Sequence, residues 1–331
     1  MRCTNSFKTI KKPLICMVLV LSSLLTGCGN QSYDMVYNPN MAVSSFSIFG
    51  TKDAEVADSF ASDLCVSASD ILDNMDVDMS EAGAAGLFNI TDSKVVYAKN
   101  IHSQMYPASL TKIMTALVAL KYGNLDDVIT VTANAEITES GAQLCGLKAG
   151  DTLTLDQALH ALLIHSANDA GVAIAEHIGG SIEEFADMMN EEAKEIGATN
   201  SHFVNPHGLH DENHYVTAYD LYLIFNEALK YDRFAEIIQT TSYDTVYYDS
   251  IGEPKELSFE TTNQYLKGVY NAPENVTVIG GKTGTTNAAL SCLILYVKDT
   301  SAKSYVSVIL HSKERGILYT EMSDLLDEIK N

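Results

Sequence analysis

The chain has 331 residues, of which 46% are hydrophobic, and its formal net charge is −22 at pH 7. This length and composition allow one large or two ordinary domains with a packed core, and they exclude disorder throughout the chain. The negative charge repels nucleic acid and anionic lipid surfaces, so we expect no nucleic-acid partner.

The N-terminus has the pattern of an export signal. Basic residues precede an apolar run over residues 14–25, which is typical of a secretory signal and too short for a comfortable membrane span. The run ends in Leu25-Thr26-Gly27-Cys28, which resembles the lipobox of bacterial lipoproteins, where cleavage precedes a lipid-bearing cysteine. We predict a signal peptide over residues 1–27 and an exported protein that Cys28 anchors, through its lipid, to the extracytoplasmic face of the cell membrane. An ordinary signal peptide or an uncleaved anchor is the alternative.

Residues 28–80 are predicted to form a tether between the lipid and a folded body. They are rich in Ser, Asp, Asn and Met and have weak periodicity, which is typical of a linker, with room for a short edge element in the second half. Besides Cys28, the mature chain keeps Cys65, Cys145 and Cys292, whose spacing matches neither a metal site nor a disulfide framework. The sequence leaves pairing among these cysteines open.

The predicted catalytic domain, residues 81–331, opens with a β-hairpin and a helix. Residues 86–90 and 94–98 are strand-like runs on either side of a polar turn. After Pro107, apolar residues recur at helical spacing until Gly123 ends the pattern. We expect this helix to be largely buried.

Helices and then strands follow in the rest of the domain. Further helix starts are predicted at the capping motifs Thr154-x-x-Gln157, Ser181-x-x-Glu184 and Thr217-x-x-Asp220. The helix from Thr154 is expected to break around residues 166–168. From Tyr243 the pattern becomes strand-like, residues 291–297 and 304–310 are expected to pair, and residues 316–329 form a last helix. This order predicts an α+β fold with an antiparallel sheet.

Ser109 and Lys112 are the candidate nucleophile and base. In Ser109-Leu110-Thr111-Lys112, the hydroxyl and the amine lie three residues apart at a helix start, so both project from one face. Lys112 accepts a proton only when it is neutral, which burial and a neighbouring cation favour, and Lys282 is the candidate cation. The N–H of Ser109 lies at the positive end of the helix dipole, where it can stabilise an oxyanion.

Two further segments offer polar groups to the same chemistry. Ser166-Ala167-Asn168 lies between two helical runs, where a hydroxyl and an amide can face a cleft; a helix cap is the alternative. Residues 280–285 are glycine-rich and strand-like, so a substrate backbone can pair with them as an added strand; a turn before a strand is the alternative. Lys282 and the threonine hydroxyls of this segment can bind a carboxylate.

The elements S-x-x-K, S-x-N-like and K-T-G occur together in β-lactamases and penicillin-binding proteins. The chain resembles one branch of these, the serine D-alanyl-D-alanine carboxypeptidases, which are low-molecular-mass penicillin-binding proteins of peptidase family S11. The matching segments lie within residues 84–311, and they begin at Pro107, His165, Phe203, Thr217 and Gly281. The resemblance implies a β-lactamase-like fold, in which helices flank an antiparallel sheet and form a helical subdomain.

The resemblance also implies a reaction and a role for each site residue. Ser109 is acylated, Lys112 accepts its proton, and Ser166 relays a proton to the leaving amine. The implied substrate-binding residues are Asn168, Lys282, Thr283, Gly284 and Thr285. The implied reaction removes the terminal D-alanine from the pentapeptide of peptidoglycan without a cofactor or a metal, and β-lactam antibiotics are expected to inhibit it covalently.

Three other interpretations are weaker. A class A β-lactamase needs a glutamate that activates the deacylating water, and no Glu-x-x-Leu-Asn lies between the second and third elements, so we expect bound β-lactams to turn over slowly. A zinc enzyme is suggested by the loop histidines His202, His207, His210 and His214, but no H-E-x-x-H pair accompanies them. A lipoprotein that binds peptidoglycan or β-lactam without turnover would leave Ser109 unreactive, and nothing in the sequence indicates that loss.

Overall fold

The computed structural model describes residues 61–72 and 77–329, so Cys28, the predicted signal peptide and the first part of the predicted tether lie outside the described residues. The strands are β1 (Ala84–Asn89), β2 (Lys94–Lys99), β3 (Val128–Thr130), β4 (Thr152–Thr154), β5 (Ser242–Tyr248), β6 (Pro254–Glu260), β7 (Val276–Thr286), β8 (Leu290–Asp299) and β9 (Ser304–Ser312). The helices are α1 (Thr111–Tyr122), α2 (Leu155–His160), α3 (Asn168–Gly179), α4 (Ile182–Glu195), α5 (Ala218–Ala228), α6 (Asp232–Ile238) and α7 (Arg315–Asp327). None of these described helices combines the length and the apolar character that crossing a membrane requires.

Five strands form the main sheet in the order β2-β1-β9-β8-β7, and all neighbouring pairs are antiparallel. The predicted hairpin is confirmed as β1 and β2, and the predicted core pair is confirmed as β8 and β9. Within the described residues, β7 is an edge strand of this sheet. Its free edge therefore has backbone groups that a further strand could pair with.

The main sheet separates two apolar clusters because side chains alternate between its faces. Leu293 and Leu295 of β8 pack in a cluster with Met322 of α7. Ile294, which lies between them, packs in the larger cluster that the helices α1 to α6 build. The prediction of an antiparallel sheet flanked by helices, with a helical subdomain, is confirmed.

A second, smaller sheet goes beyond the sequence prediction. Its strand order is β3-β4-β5-β6, and β4 joins β5 through the pair Thr152 and Tyr248. Strands β3 and β4 have three residues each, which is too short for an alternating pattern to be recognised. The β6 end of this sheet contributes Ser258 and Glu260 to the cleft described below.

Part of the predicted tether packs against the body. Cys65 is fully buried; its N–H donates to the Tyr222 hydroxyl, and its carbonyl accepts from the Tyr219 hydroxyl, both at 2.9 Å. Ile71 pairs with Ala98 on the edge strand β2, as the expected short edge element. The contacts of the body therefore begin before residue 81, because α5 and β2 offer hydrogen-bond partners to this segment.

The three described cysteines are free thiols, which answers the question of pairing among them. Cys65 and Cys292 are fully buried, whereas Cys145 is half-buried. Burial raises the pKa of the Cys65 thiol and raises that of Cys292 to about 12. Both buried thiols are therefore neutral near pH 7 and are poor nucleophiles.

Thr154→Ala should lower the free energy of unfolding by about 1 kcal/mol, because it removes a helix cap. The predicted capping box is present: the Thr154 hydroxyl accepts from the Gln157 N–H at 3.1 Å, and the Gln157 side chain accepts from the Thr154 N–H at 2.8 Å. Urea denaturation followed by circular dichroism measures the change. Thr199→Ala, at an exposed turn position, is the control, and a wild-type midpoint for Thr154→Ala would contradict the capping role.

Candidate active site

Ser109 lies on a short turn that leads into α1. Residues Ala108–Leu110 form a 3-10 turn directly before the helix, so the Ser109 side chain projects from the N-terminal end of α1. Ala108 has a positive φ of 49°, a conformation that is strained for a residue other than glycine. The strain falls on the residue before the candidate nucleophile, and Ser109 itself is half-buried in a cleft.

Two glycines let neighbouring chain segments approach this turn closely. A Cβ atom on Gly284 of β7 would lie 3.1 Å from the Ser109 nitrogen and 3.0 Å from the Pro107 carbonyl oxygen. Gly208 has a φ of 84°, and a Cβ atom there would collide with the Ala108 carbonyl group. Because Gly208 has no room for a side chain and Gly284 has little, β7 and the loop at Gly208 enclose the turn from two directions.

The Lys112 amine is fully buried and makes three hydrogen bonds. Its Nζ lies 2.9 Å from Ser109 Oγ, 2.6 Å from Asn168 Oδ1 and 2.6 Å from the His207 carbonyl oxygen. In the neutral amine, the two N–H groups can remain on Asn168 and His207, since both offer only acceptor oxygens. The lone pair of the amine then points at the Ser109 hydroxyl.

The two lysines of the site have lowered pKa values. Burial lowers the pKa of Lys112 well below its ordinary value, and the charge of Lys282 lowers it further, whereas Asp169 raises it. Lys282 is 1% exposed, and burial lowers its pKa to about 7. Desolvation and a like charge both favour the neutral amine, so Lys112 has the properties that a proton acceptor needs.

A break between α2 and α3 positions Ser166 and Asn168. Helix α2 continues into a π-helical turn, Ala161–His165, and Ser166 follows in the left-handed region with φ 66° and ψ 32°. Ser166 Oγ accepts from Lys282 Nζ at 2.9 Å, and α3 then begins at Asn168. The N-cap of α3 is Ala167, without a side-chain hydrogen bond, so the alternative interpretation of this segment as a side-chain helix cap is wrong.

Residues 280–285 form the end of β7 and one wall of the cleft. Lys282 and Thr283 pair with Ile294 and Leu293 of β8, so this segment is a strand and not a turn. The hydroxyl oxygens of Thr283 and Thr262 lie 2.6 Å apart. Beside this wall is a cavity of about 680 Å³, whose lining includes Ser109, Ser166, Thr283, Gly284 and Thr285.

A second cavity, of about 480 Å³, adjoins Ser109 from the other direction. The residues that line both cavities are Ser109, Gly141, Gln143 and Thr285, so Ser109 lies where two halves of one cleft meet. The first half, with the larger cavity, has Lys267 and Arg315 in its lining. The second half has Asn168 and Glu139 in its lining. The structure therefore brings all the predicted site residues of the catalytic domain to this cleft, with Lys112 and Lys282 buried behind it.

The sequence analysis did not identify three parts of the cleft lining, which are Arg315, Thr262 and the loop around Gln143. Arg315 begins α7, and Thr262 lies between β6 and β7. Both are separated from the S-x-x-K and S-x-N-like elements in sequence and match no spacing rule. The available signal was the rarity of arginine, since the chain has three in total; membership of the cleft depends on packing alone.

The loop histidines contact different partners and do not converge on a common metal-binding point. His214 Nε2 lies 2.8 Å from Thr111 Oγ1, and its Nδ1 accepts from the Val204 N–H. The His210 ring packs edge-on against Tyr106. Over residues 61–72 and 77–329, no group of three or more His, Cys, Asp or Glu side chains is placed to hold a metal ion.

The fold, with its Ser–Lys pair in a cleft, places the chain in the class of proteins with the penicillin-binding-protein fold. The crystal structure of the Streptomyces K15 DD-transpeptidase aligns with a TM-score of 0.70 and 25% identity, over 76% of this chain and 98% of that chain. A penicillin-binding protein homologue from Mycobacterium tuberculosis aligns with a TM-score of 0.67 and 24% identity, over 79% of this chain and 94% of that chain. These similarities confirm the predicted fold class.

The D-alanyl-D-alanine carboxypeptidase family model, for peptidase family S11, matches residues 73–314. The chain belongs to this family. D-alanyl-D-alanine carboxypeptidase DacF of Bacillus subtilis is 36% identical over 251 residues, which are 74% of this chain and 61% of the relative. DacC of Escherichia coli, named as the same kind of enzyme, is 32% identical over 255 residues, which are 74% of this chain and 60% of the relative. The chain thus spans about three fifths of the length of these relatives.

The free energy of unfolding should fall as the pH drops from about 6.5 toward 4, and His214 should account for part of this fall. His214 is 2% exposed, and burial lowers its pKa to about 4. Below the ordinary histidine pKa of about 6.5, the unfolded chain therefore binds the proton more readily than the folded chain. The stability due to neutral His214 is complete above about pH 6.5 and is lost toward the folded pKa.

His214→Gln should reduce the stability difference between about pH 7 and pH 5 by roughly 2 kcal/mol. Urea midpoints at the two pH values measure this difference. Burial also lowers the pKa of His207, to about 3. His207 therefore lowers the stability at acidic pH as His214 does, and it remains in the variant. His177→Gln, which replaces a 27% exposed histidine, is the control. A wild-type pH difference in His214→Gln would contradict the prediction.

Proposed function

We propose that this protein is a serine-type D-alanyl-D-alanine carboxypeptidase, which removes the terminal D-alanine from peptidoglycan stem pentapeptides through an acyl-enzyme on Ser109. The observation that carries this proposal is the 2.9 Å contact between Ser109 Oγ and the fully buried Lys112 amine, at the meeting point of the two halves of the cleft. Membership of the family supports the substrate class.

Lys112 activates Ser109 in the first step. Its lone pair faces the hydroxyl while Asn168 Oδ1 and the His207 carbonyl oxygen, each at 2.6 Å, hold the amine in place. Ser109 Oγ gives its proton to Lys112 and attacks the carbonyl carbon of the peptide bond between the two D-alanines. The N–H groups of Ser109 and Thr285 stabilise the negative charge that develops on the carbonyl oxygen.

Ser166 connects the leaving group to the second lysine. Its Oγ accepts from Lys282 Nζ at 2.9 Å, so the hydroxyl can pass a proton to the nitrogen of the departing D-alanine. The pKa of Lys282, about 7, lets this lysine resupply Ser166 near neutral pH. Water then attacks the carbonyl carbon of the Ser109 ester and loses a proton, through Ser166, to the neutral Lys282 amine. Ser109 Oγ recovers its proton from Lys112 as the shortened peptide leaves, so both lysines return to their starting state.

The first half of the cleft suits the terminal carboxylate of the substrate. It combines the hydroxyls of Thr283 and Thr285 with Arg315, and Lys282 lies behind them. These donors and cations can hold an anion in a protein whose overall charge is strongly negative. Gly284 has no side chain to obstruct a substrate that pairs with β7 as an added strand. The substrate amide then lies toward Asn168 in the second half.

β-Lactam antibiotics are covalent inhibitors in this proposal. Their strained amide is attacked by Ser109 in the same way as the peptide bond, and the acyl group remains on Ser109 Oγ. The sequence lacks a Glu-x-x-Leu-Asn element between Asn168 and Lys282, which would activate water against a β-lactam ester. The opened β-lactam also keeps its leaving nitrogen attached beside the ester, whereas D-alanine departs, so water reaches the β-lactam ester less readily than the peptide ester. The acyl-enzyme should therefore be long-lived.

Wild-type protein should form one covalent adduct with a fluorescent penicillin, on the peptide that contains Ser109, and should release D-alanine from a peptide that ends in D-alanyl-D-alanine. Ser109→Ala should lose both, because it lacks the attacking oxygen. Mass spectrometry of the digest and a D-alanine assay measure the two outcomes. Ser140→Ala, which alters another serine of the cleft lining, is the control and should keep both.

An adduct that persists in Ser109→Ala would show that another residue is acylated. A folded wild-type protein that forms no adduct and releases no D-alanine would favour the interpretation of binding without turnover. Addition of an amine acceptor to the assay separates hydrolysis from transfer, since the same acyl-enzyme can react with either.

We also propose that the protein acts outside the cytoplasm, anchored to the membrane by a lipid on Cys28. The lipobox-like segment at residues 25–28 supports this proposal, as does the location of peptidoglycan outside the cell membrane. Such an anchor would keep the cleft near its substrate.

Cys28→Ala should abolish incorporation of a labelled lipid precursor and should release the protein from the membrane fraction, because the variant has no thiol to carry the lipid. Fractionation and autoradiography of producing cells measure both outcomes. Cys16→Ala, which changes another cysteine of the N-terminal segment, should behave as wild type. Unchanged labelling of Cys28→Ala would refute the lipoprotein prediction.

A further inference from the structure

The loop over residues 143–147, here called the cleft loop, lies against the segment that carries Ser166 and Asn168. Its first residue, Gln143, lines both halves of the cleft. The Gln143 carbonyl oxygen accepts from the Asn168 N–H at 2.8 Å, and its side-chain nitrogen lies 2.8 Å from His165 Nε2. The cleft loop therefore contacts the chain on both sides of Ser166.

Asp169 anchors the cleft loop to the start of α3. This residue is 1% exposed. Its carboxylate accepts from three consecutive backbone N–H groups, those of Cys145 at 3.1 Å, Gly146 at 2.8 Å and Leu147 at 3.1 Å. Successive N–H groups that converge in this way form an anion-binding concavity. An amide in place of the carboxylate would offer one oxygen fewer and would turn donor hydrogens toward these N–H groups.

Ser166 depends on support from its surroundings because its backbone is strained. It occupies the left-handed region, with φ 66°, and such conformations persist in residues other than glycine only where neighbouring contacts enforce them. The contacts on this segment come from Lys282, from the hydrogen bond between the Ala167 N–H and the Ala161 carbonyl oxygen, and from the cleft loop. Asp169 provides most of the hydrogen bonds that hold the cleft loop in place.

The charge of Asp169 also acts on Lys112. The groups that face the Lys112 amine are the Ser109 hydroxyl, Asn168, the His207 carbonyl, and the charges of Lys282 and Asp169. The nearby imidazoles of His207 and His214 have lowered pKa values and are neutral near pH 7. Asp169 is therefore the anion that opposes Lys282 in setting the protonation of Lys112.

We propose that Asp169 is a positioning residue for the acylation of Ser109, whose carboxylate fixes the cleft loop and thereby the orientation of Ser166 and Asn168 toward the two buried lysines. This inference rests on the proposed function. Asp169 reaches none of the reacting atoms, because its oxygens are occupied by the N–H groups of the cleft loop and of Ala170. It acts through the residues that it holds.

The test compares the second-order rate constant of acylation by a fluorescent penicillin across the neutral pH range, on the full-length protein in detergent. Asp169→Asn should lower this rate constant on the order of 100-fold, because Ser166 and Asn168 lose their alignment. In a plot of this rate constant against pH, the acid limb is the part where the rate constant falls as the pH is lowered. In Asp169→Asn the acid limb should move to lower pH, because loss of a negative charge lowers the pKa of Lys112. Asp169→Glu keeps the charge but changes the reach, so its rate constant should fall while its acid limb stays in place.

Asp220→Asn is the matched control for loss of a buried carboxylate. Asp220 is also 1% exposed, lies near the start of a helix and accepts from a backbone N–H, that of Asn200 at 2.8 Å. It has no part in the cleft lining. Asp220→Asn should keep the acylation rate and the position of the acid limb.

The inference would be overturned if folded Asp169→Asn had the wild-type rate constant. It would also be overturned if the acid limb moved equally in Asp169→Asn and Asp169→Glu, or if Asp220→Asn lost as much of the acylation rate as Asp169→Asn. Circular dichroism establishes that each variant is folded. If Asp169→Asn does not fold, Asp169→Glu carries the test, and wild-type acylation in that variant overturns the inference. A wild-type protein without acylation would instead overturn the proposed function, so the two failures are distinguishable.

Discussion

Two lysine amines buried in one cleft are the constraint on which the rest of the site depends. Lys112 and Lys282 are 0% and 1% exposed, and an ammonium group without water or a nearby anion is strongly disfavoured. Oxygen acceptors surround each amine, and burial lowers both pKa values. The same desolvation that opposes charge on Lys112 keeps this amine neutral, which is the form that can accept a proton.

Enclosure of these amines requires close approach of backbone segments that are distant in sequence. The turn at Ser109, the loop at Gly208 and strand β7 meet without intervening side chains, and Gly208 and Gly284 provide the space. Ala108 and Ser166 adopt positive φ angles beside this meeting point. Strain of this kind persists where many contacts determine a conformation together, and here the contacts come from the π-helical turn, from Lys282 and from the cleft loop.

The sequence predicted much of the fold because several signals are local. The capping motifs at Thr154, Ser181 and Thr217 each begin a helix as expected, with the side chain of the motif accepting from a backbone N–H. The hairpin and the core strand pair were also predictable, since clear turns set the limits of their strands. The short elements β3 and β4, with three residues each, and α6, with seven, were not predicted from the sequence. Their formation depends on neighbours in space.

For the candidate site, the sequence by itself determined the chemical groups: a hydroxyl and an amine three residues apart, a polar break between helices, and a glycine-rich strand with a lysine. Those features are local, because helix periodicity and strand alternation follow from the backbone. Only the tertiary structure decided that Lys112 meets Asn168, that Lys282 meets Ser166 and that Arg315 reaches the same cleft. These contacts join residues far apart in the chain, and burial, which sets the pKa of each lysine, is a property of the packed molecule and not of any segment.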